Sequence, residues 1–215
     1  MPKKRKRERQ AGAANSPTEL RVIGGKLRGS RLAYHGDPNT RPMKDRVREA
    51  VFNLVGPRIE GLHAIDLFAG TGAIVIEAIS RGAASGTAFE QHFPTAALIE
   101  TNARALGLDD RLEIVRGDTF YWVDQVEFPR DRPWVVFFSP PYAFYLSRQV
   151  EMCELISRFQ STAPVGSALV VESDTEFSPD ALPAGDWDVR EYPPAQVALL
   201  LLAATDTDLS ASDGQ

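Results

Sequence analysis

One cysteine, three histidines and no long apolar run set the first limits on this 215-residue chain. The single thiol, Cys153, excludes an internal disulfide framework and suits a reducing compartment. His35, His63 and His92 are scattered and form no metal-ligand spacing with one another or with Cys153, so no metal site is expected. No apolar stretch reaches the roughly 20 residues of a membrane-spanning helix, and the start carries no signal-peptide core. A cytoplasmic protein working away from membranes is therefore expected, and nothing in the sequence demands a partner subunit, so a monomer is expected too.

Net charge is −5, which at first sight argues against a polyanionic partner. The average conceals an asymmetry. Residues 1–48 hold 14 of the 24 Lys and Arg but only four of the 29 acids, a local charge of +10 that leaves −15 on the rest. A basic front on an acidic body is the pattern of a protein that meets phosphate on one surface. A solvated basic tail alone explains residues 3–9 equally well. The spread of Arg and Lys through 21–48 favours RNA.

Along the chain, residues 1–18 are basic, then small and polar, and are expected to be a disordered tail; residues 205–215 form an acidic counterpart. Between them lies one domain, 19–204, whose front portion (about 20–56) is basic. A short strand is expected at 20–23 and a helix at 44–55, where Val47, Ala50, Val51, Leu54 and Val55 fall at helical spacing opposite Arg46, Arg48 and Glu49. Apolar strands and helices then alternate. Strands are expected at 62–68, 86–90, 111–116, 134–138 and 167–172. Helices are expected at 73–81, 94–106, 119–126 and 145–159. The strands 188–192 and 196–203 close the series as a hairpin. This alternation predicts an α/β fold: a doubly wound, Rossmann-like sheet, mostly parallel, with an antiparallel closing hairpin.

The chemistry-bearing residues cluster at strand ends. In IDLFAGTG (65–72), a buried strand ends in Asp66 and a turn holds Gly70 and Gly72 before a helix. Glycines there let backbone approach a ligand at the switch point of an open sheet. The turn suits a dinucleotide or S-adenosylmethionine, and equally a plain strand–helix connection; Val75 stands where the dinucleotide fingerprint needs its third glycine. Glu90 ends the second strand, where a carboxylate can take both ribose hydroxyls of an adenosine ligand. Asp118 follows the third, where it can accept from an adenine amine. Each acid alone reads as a surface or turn residue; three at successive strand ends point to a nucleoside-type site.

FFSPPY (137–142) follows the fourth strand. Consecutive prolines lack N–H groups and stiffen the chain, fixing the direction of neighbouring carbonyls and of the next ring. The Ser139 hydroxyl and the Pro140 carbonyl make a two-acceptor clamp for an NH2 group, and Tyr142 offers a flat face to an unstacked base. Cys153 falls inside an expected helix, which indicates packing rather than nucleophilic catalysis.

These motifs resemble the class I S-adenosylmethionine-dependent methyltransferases that modify exocyclic amines. The front segments RVIGGKLRG (21–29) and RPMKDRVREAVFN (41–53) narrow the resemblance to the RsmD-type family, and it runs from about residue 20 to 203. The resemblance implies methyl transfer from S-adenosylmethionine to the 2-amino group of a guanine in 16S ribosomal RNA. It implies cofactor contacts from Asp66, Gly70, Gly72, Glu90 and Asp118, and amine and base contacts from Ser139, Pro140 and Tyr142. Candidate RNA contacts are Lys26, Arg28, Arg41, Lys44, Arg46 and Arg48. The chain departs from the family pattern at Ser139, where Asp is usual, and at Met43, where Thr is usual. A serine brings no negative charge to the cation formed as methyl transfers.

Other readings are an amine methyltransferase acting on adenine in DNA or RNA or on a protein glutamine, and a nucleotide-dependent oxidoreductase. From a different class comes an RNA-binding assembly factor with weak catalysis.

Overall fold

The computed structural model describes residues 20–34, 36 and 42–203. The tails expected at 1–18 and 205–215, together with His35 and the candidate RNA contact Arg41, lie outside the described residues.

Strand β4 (Trp134–Phe138) is apolar at every position because both of its faces are covered. Val135 and Phe137 pack on one side of the sheet, and Trp134, Val136 and Phe138 on the other. The same alternation runs through its neighbours β1 (His63–Asp66) and β5 (Ala168–Asp174). With β2 (Ser85–Glu90), β3 (Leu112–Arg116), β6 (Asp188–Tyr192) and β7 (Ala195–Leu201), they form one sheet of order β3-β2-β1-β4-β5-β7-β6. The first five strands are parallel; β7 runs antiparallel to both β5 and β6. This is the expected doubly wound sheet with its closing hairpin. The chain leaves β1 toward β2 and β3, then returns to β4 on the other side. The switch point thus lies between the carboxyl ends of β1 and β4, where such sheets bind ligands.

Helices α1 (Asp45–Val55), α2 (Ala73–Ser80) and α3 (Phe93–Ala105) cover one face through Val47, Val51 and Phe52, the whole apolar length of α2, and Ile99 and Ala103. On the other face lie α4 (Thr119–Trp122), α5 (Phe144–Ser147) and α6 (Gln149–Thr162), anchored by Phe120, Tyr145, Met152, Ile156 and Phe159.

Two expectations change. Residues 20–23 form no strand of the sheet; Arg21 makes only a single antiparallel bridge to Arg31. The helix expected at 145–159 is broken at Arg148 (φ −133°, ψ 33°) into α5 and α6. The break has a side-chain cause. The Arg148 guanidinium lies over the Phe120 ring at 3.8 Å and pairs with Glu151, while the Tyr145 hydroxyl donates to the carbonyls of Phe138 and Glu172. These ties hold α5 against the sheet ends and off the axis of α6.

The basic segment 20–34 is clamped to the body by polar groups that the sequence pattern hides. Buried Glu77 on α2 accepts the N–H groups of Ile23 and Gly24, each at 2.7 Å. The Ser80 hydroxyl accepts from Leu27 and donates to the Gly24 carbonyl, and Asn102 on α3 exchanges two hydrogen bonds with the Ala33 backbone. Gly25 has φ +77°, and a Cβ there would sit 2.0 Å from the Ser80 carbonyl oxygen, so only glycine fits.

Candidate functional site

The carboxyl ends of β1, β2, β4 and β5 open into a cleft of about 820 Å³, within the range of small-molecule sites. Gly70 and Thr71 of the β1–α2 turn, Glu90 at the end of β2 and Asp118 after β3 line one part. Ser139, Pro140, Pro141 and Tyr142 after β4 line another, so residues far apart in sequence share one cavity. Lys44 and Pro42, just before α1, reach its edge.

The turn after β1 is held by the Ala69 N–H donating to the Phe89 carbonyl and the Gly72 N–H donating to the Ala69 carbonyl. Gly70 lines the cleft, but Gly72 does not. At Gly72 (φ +73°) a Cβ would come within 2.6 Å of the Ile99 side chain. Its lack of a side chain lets α3 pack against the turn, a packing role the sequence does not announce.

Asp66 ends β1 as expected and is fully buried beneath the cleft. Its Oδ1 accepts a long 3.4 Å bond from the Phe68 N–H, and among the described residues its Oδ2 has no hydrogen-bond partner. Burial, aided by the Glu90 charge, pushes its carboxyl from an ordinary 3.8 up to about 7. Glu90 accepts the His92 N–H at 2.7 Å, which fixes its carboxylate at the cleft. Asp118 caps α4 by accepting the Phe120 N–H at 3.0 Å, and the Thr119 hydroxyl ties that turn to the Leu67 carbonyl.

In the SPPY segment, Phe144 and Tyr145 N–H groups take up the carbonyls of Pro141 and Tyr142. Among the described residues no hydrogen bond engages the Pro140 carbonyl, which leaves it as an acceptor beside Ser139. The Tyr142 hydroxyl donates to Glu172 Oε1 at 2.7 Å, and the Ser139 hydroxyl stands near the same carboxylate, on the neighbouring strand end. Burial pushes the Glu172 carboxyl up, against the opposing pull of these two hydroxyls. Glu172 was missed in the sequence because it lies in an apolar strand outside any recognisable motif. Phe68, Phe89 and Phe144 add an apolar wall, with Phe68 and Phe144 edge to face at 6.2 Å.

Of the candidate RNA contacts, Lys26, Arg28, Lys44 and Arg46 are exposed. Arg48 is not: its side chain is wholly buried, donating to the Arg21 carbonyl at 2.7 Å and to Asp45 at 3.0 Å, with Nε 3.5 Å from Glu77. Helical spacing put it beside Arg46 on the outer face, but it turns inward to join α1, α2 and the 20–34 segment. It is removed from the phosphate contacts. Among the described residues no group of three His, Cys, Asp or Glu is placed to hold a metal ion, and no helix is long and apolar enough to cross a membrane.

Comparison with known proteins follows the same lines. The family described as Conserved hypothetical protein 95 matches residues 20–198. The chain is 31% identical over 186 residues to Ribosomal RNA small subunit methyltransferase D of Escherichia coli strain K12, spanning 85% of this chain and 89% of that one. It is 32% identical over 126 residues to the protein of the same name from Buchnera aphidicola, spanning 58% of this chain and 64% of that relative. Among solved structures, the putative methyltransferase yhhF from Escherichia coli superposes with a TM-score of 0.71 at 27% identity, covering 87% of this chain and 99% of that one. The RNA methyltransferase from Salinibacter ruber in complex with S-adenosyl-L-homocysteine shares the fold, with a TM-score of 0.55 at 18% identity over 77% of this chain and 95% of that one.

Proposed function

The chain belongs to the RsmD family described as Conserved hypothetical protein 95, and from that premise we propose that it transfers a methyl group from S-adenosylmethionine to the 2-amino group of a guanine in small-subunit ribosomal RNA. The observation that carries this reading is the shared cleft, in which Ser139, Pro140 and Tyr142 face the wall formed by Gly70, Glu90 and Asp118.

The residues present fit the cofactor. Glu90 would take the ribose hydroxyls and Asp118 an adenine amine, with Gly70 and Thr71 letting backbone come close; that all four line one cleft supports this reading. The buried Asp66 Oδ2 beneath the floor, with no partner among the described residues, is an acceptor suited to a ligand's N–H or O–H donor. When bound, the sulfonium supplies a methyl carbon already activated toward a nucleophile.

The chain's own task is placement, an effect worth up to about 7–11 kcal/mol in well-oriented reactions. An aromatic amine is a poor nucleophile because its lone pair is delocalised into the ring. Hydrogen bonds from its two N–H groups to the Ser139 hydroxyl and the Pro140 carbonyl orient it and stabilise the positive charge that develops. The Tyr142 ring stacks on the base, and the apolar wall of Phe68, Phe89 and Phe144 excludes water. Exposed Lys26, Arg28, Lys44 and Arg46 meet phosphate, with Lys44 at the cleft edge itself. A ribosomal substrate supports a cytoplasmic location.

The test is methyl transfer from labelled S-adenosylmethionine to unmodified small ribosomal subunits, followed by nucleoside analysis. Label in N2-methylguanosine is the expected outcome. Label in another nucleoside moves the target, and no label overturns the reading.

A further inference from the structure

Glu172 is a buried negative group that the clamp described above does not use. Strands β4 and β5 run parallel with Phe138 opposite Val171, so the next positions along them, Ser139 and Glu172, stand side by side at the cleft. Glu172 is only 7% exposed, and among the described residues no cationic side chain pairs with it. Its hydrogen-bond donor is the Tyr142 hydroxyl at 2.7 Å, and the Ser139 hydroxyl stands beside it by strand register; both belong to the base-holding segment. A carboxylate taken out of water with no cation beside it is costly to keep. It becomes useful where a cation forms. The reaction proposed here forms one, on the amine nitrogen, on the far side of the Ser139 hydroxyl.

We infer that Glu172 is a positioning residue for methyl transfer, directing Ser139 to act as hydrogen-bond acceptor, supplying the negative charge that serine lacks, and receiving the proton released from the methylated amine. This rests on the amine-methylation reading above. With its hydrogen donated to Glu172, the Ser139 oxygen turns a lone pair toward the substrate N–H. The amine lone pair forms the N–C bond while the donor's S–C bond yields its electron pair to sulfur. The nitrogen is left positive, with one proton in excess. That proton passes to Ser139 Oγ as the serine's own proton passes to Glu172. A neutral secondary amine, an intact hydroxyl and a carboxylic acid result, and the acid loses its proton to water on product release. Glutamine could tether Tyr142 as well as glutamate does, so it is the charge at this position that matters.

Glu172→Gln separates the two roles, since its amide oxygen still accepts from Tyr142. With small ribosomal subunits as substrate, kcat falls about 100-fold while KM for S-adenosylmethionine changes little. Glu172→Asp, which keeps the charge, retains more activity than Glu172→Gln. Adding Ser139→Asp to Glu172→Gln restores a carboxylate beside the amine and recovers part of the loss, whereas Ser139→Asp alone crowds two carboxylates and gives no gain. A Glu172→Gln protein with unchanged kcat, an Asp variant slower than the Gln variant, or a double variant no faster than Glu172→Gln alone overturns the inference. If Glu172→Gln melts at a much lower temperature, the order of the Asp and Gln variants and the double-variant rescue still decide. A wild-type chain that transfers no label overturns the amine reading and this inference with it; wild-type transfer that survives Glu172→Gln overturns this inference alone.

Discussion

The carboxylate of Glu77, buried in the middle of α2, holds the backbone N–H of Gly24 at 2.7 Å. The same carboxylate accepts from Ile23, pairs with Arg81 at 2.8 Å and lies 3.5 Å from the buried Arg48 guanidinium. One acid on an otherwise apolar helix thus fastens the basic front of the chain to the methyltransferase body. Replacing it with alanine leaves the buried Arg48 guanidinium with only the part-exposed Asp45 as an acid partner and strips the Ile23 and Gly24 N–H groups of their acceptor, and a loss of about 3–5 kcal/mol in unfolding free energy is expected from denaturant titration. A loss below about 1 kcal/mol, the range of an exposed pair, counts against this role.

Gly25 makes the same junction sterically demanding. A Cβ at that position meets the Ser80 carbonyl oxygen at 2.0 Å in a left-handed backbone. Gly25→Ala is expected to destabilise by about 1–3 kcal/mol and to expose the 20–34 segment to protease, whereas Gly29→Ala, left-handed too at φ +86° but with open space around its Cβ site, carries backbone strain alone and opens the junction less. Equal protease sensitivity in the two variants contradicts the steric account.

Asp66 makes stability depend on pH in the free protein. Its folded value, about 7, lies above its ordinary 3.8, so folding favours the protonated form. That contribution is complete below about pH 4 and is lost as pH rises through about 7, at a slope of up to about 1.4 kcal/mol per pH unit. Asp66→Asn removes the titration. The stability difference between variant and wild type should therefore move in favour of the variant between pH 4 and pH 8. A constant difference, measured by chemical denaturation without cofactor, rules the assignment out.

Tyr142 is expected to hold the base and not the cofactor. Tyr142→Ala should slow methyl transfer about 10- to 100-fold, the worth of one stacked base, with cofactor affinity by calorimetry nearly unchanged. Equal loss of cofactor binding places the ring in the wrong part of the cleft.

Lys44 and Arg46 are expected to reach phosphate, and Arg48 is not. Substituting Lys44 and Arg46 with glutamine should weaken RNA binding and flatten its logarithmic salt dependence by about one for each phosphate that is no longer neutralised. Arg48→Gln should instead lower the melting temperature and leave the salt slope alone. A reduced slope for Arg48→Gln restores it to the RNA surface.

Local pattern was enough to place most strands and helices, because burial on both sheet faces writes continuous apolar strands and burial on one side writes helical spacing. β4 and β6 fall where the sequence puts them, Trp134–Phe138 and Asp188–Tyr192. The glycine turn, Glu90, Asp118 and the SPPY segment were also legible, since each is a short run whose chemistry is local. What only the tertiary structure decided concerns atoms brought together from distant strands. Gly72 sits against Ile99 because α3 packs over the turn, and Asp66 lies beneath the cleft in β1, flanked by β2 and β4. Arg48 turns inward because Glu77, on the next helix, offers it a buried carboxylate. Glu172 meets Tyr142 only because β5 lies beside β4, 30 residues apart in the chain. Periodicity reports which side of an element faces the core; it carries no information about which buried charge waits there.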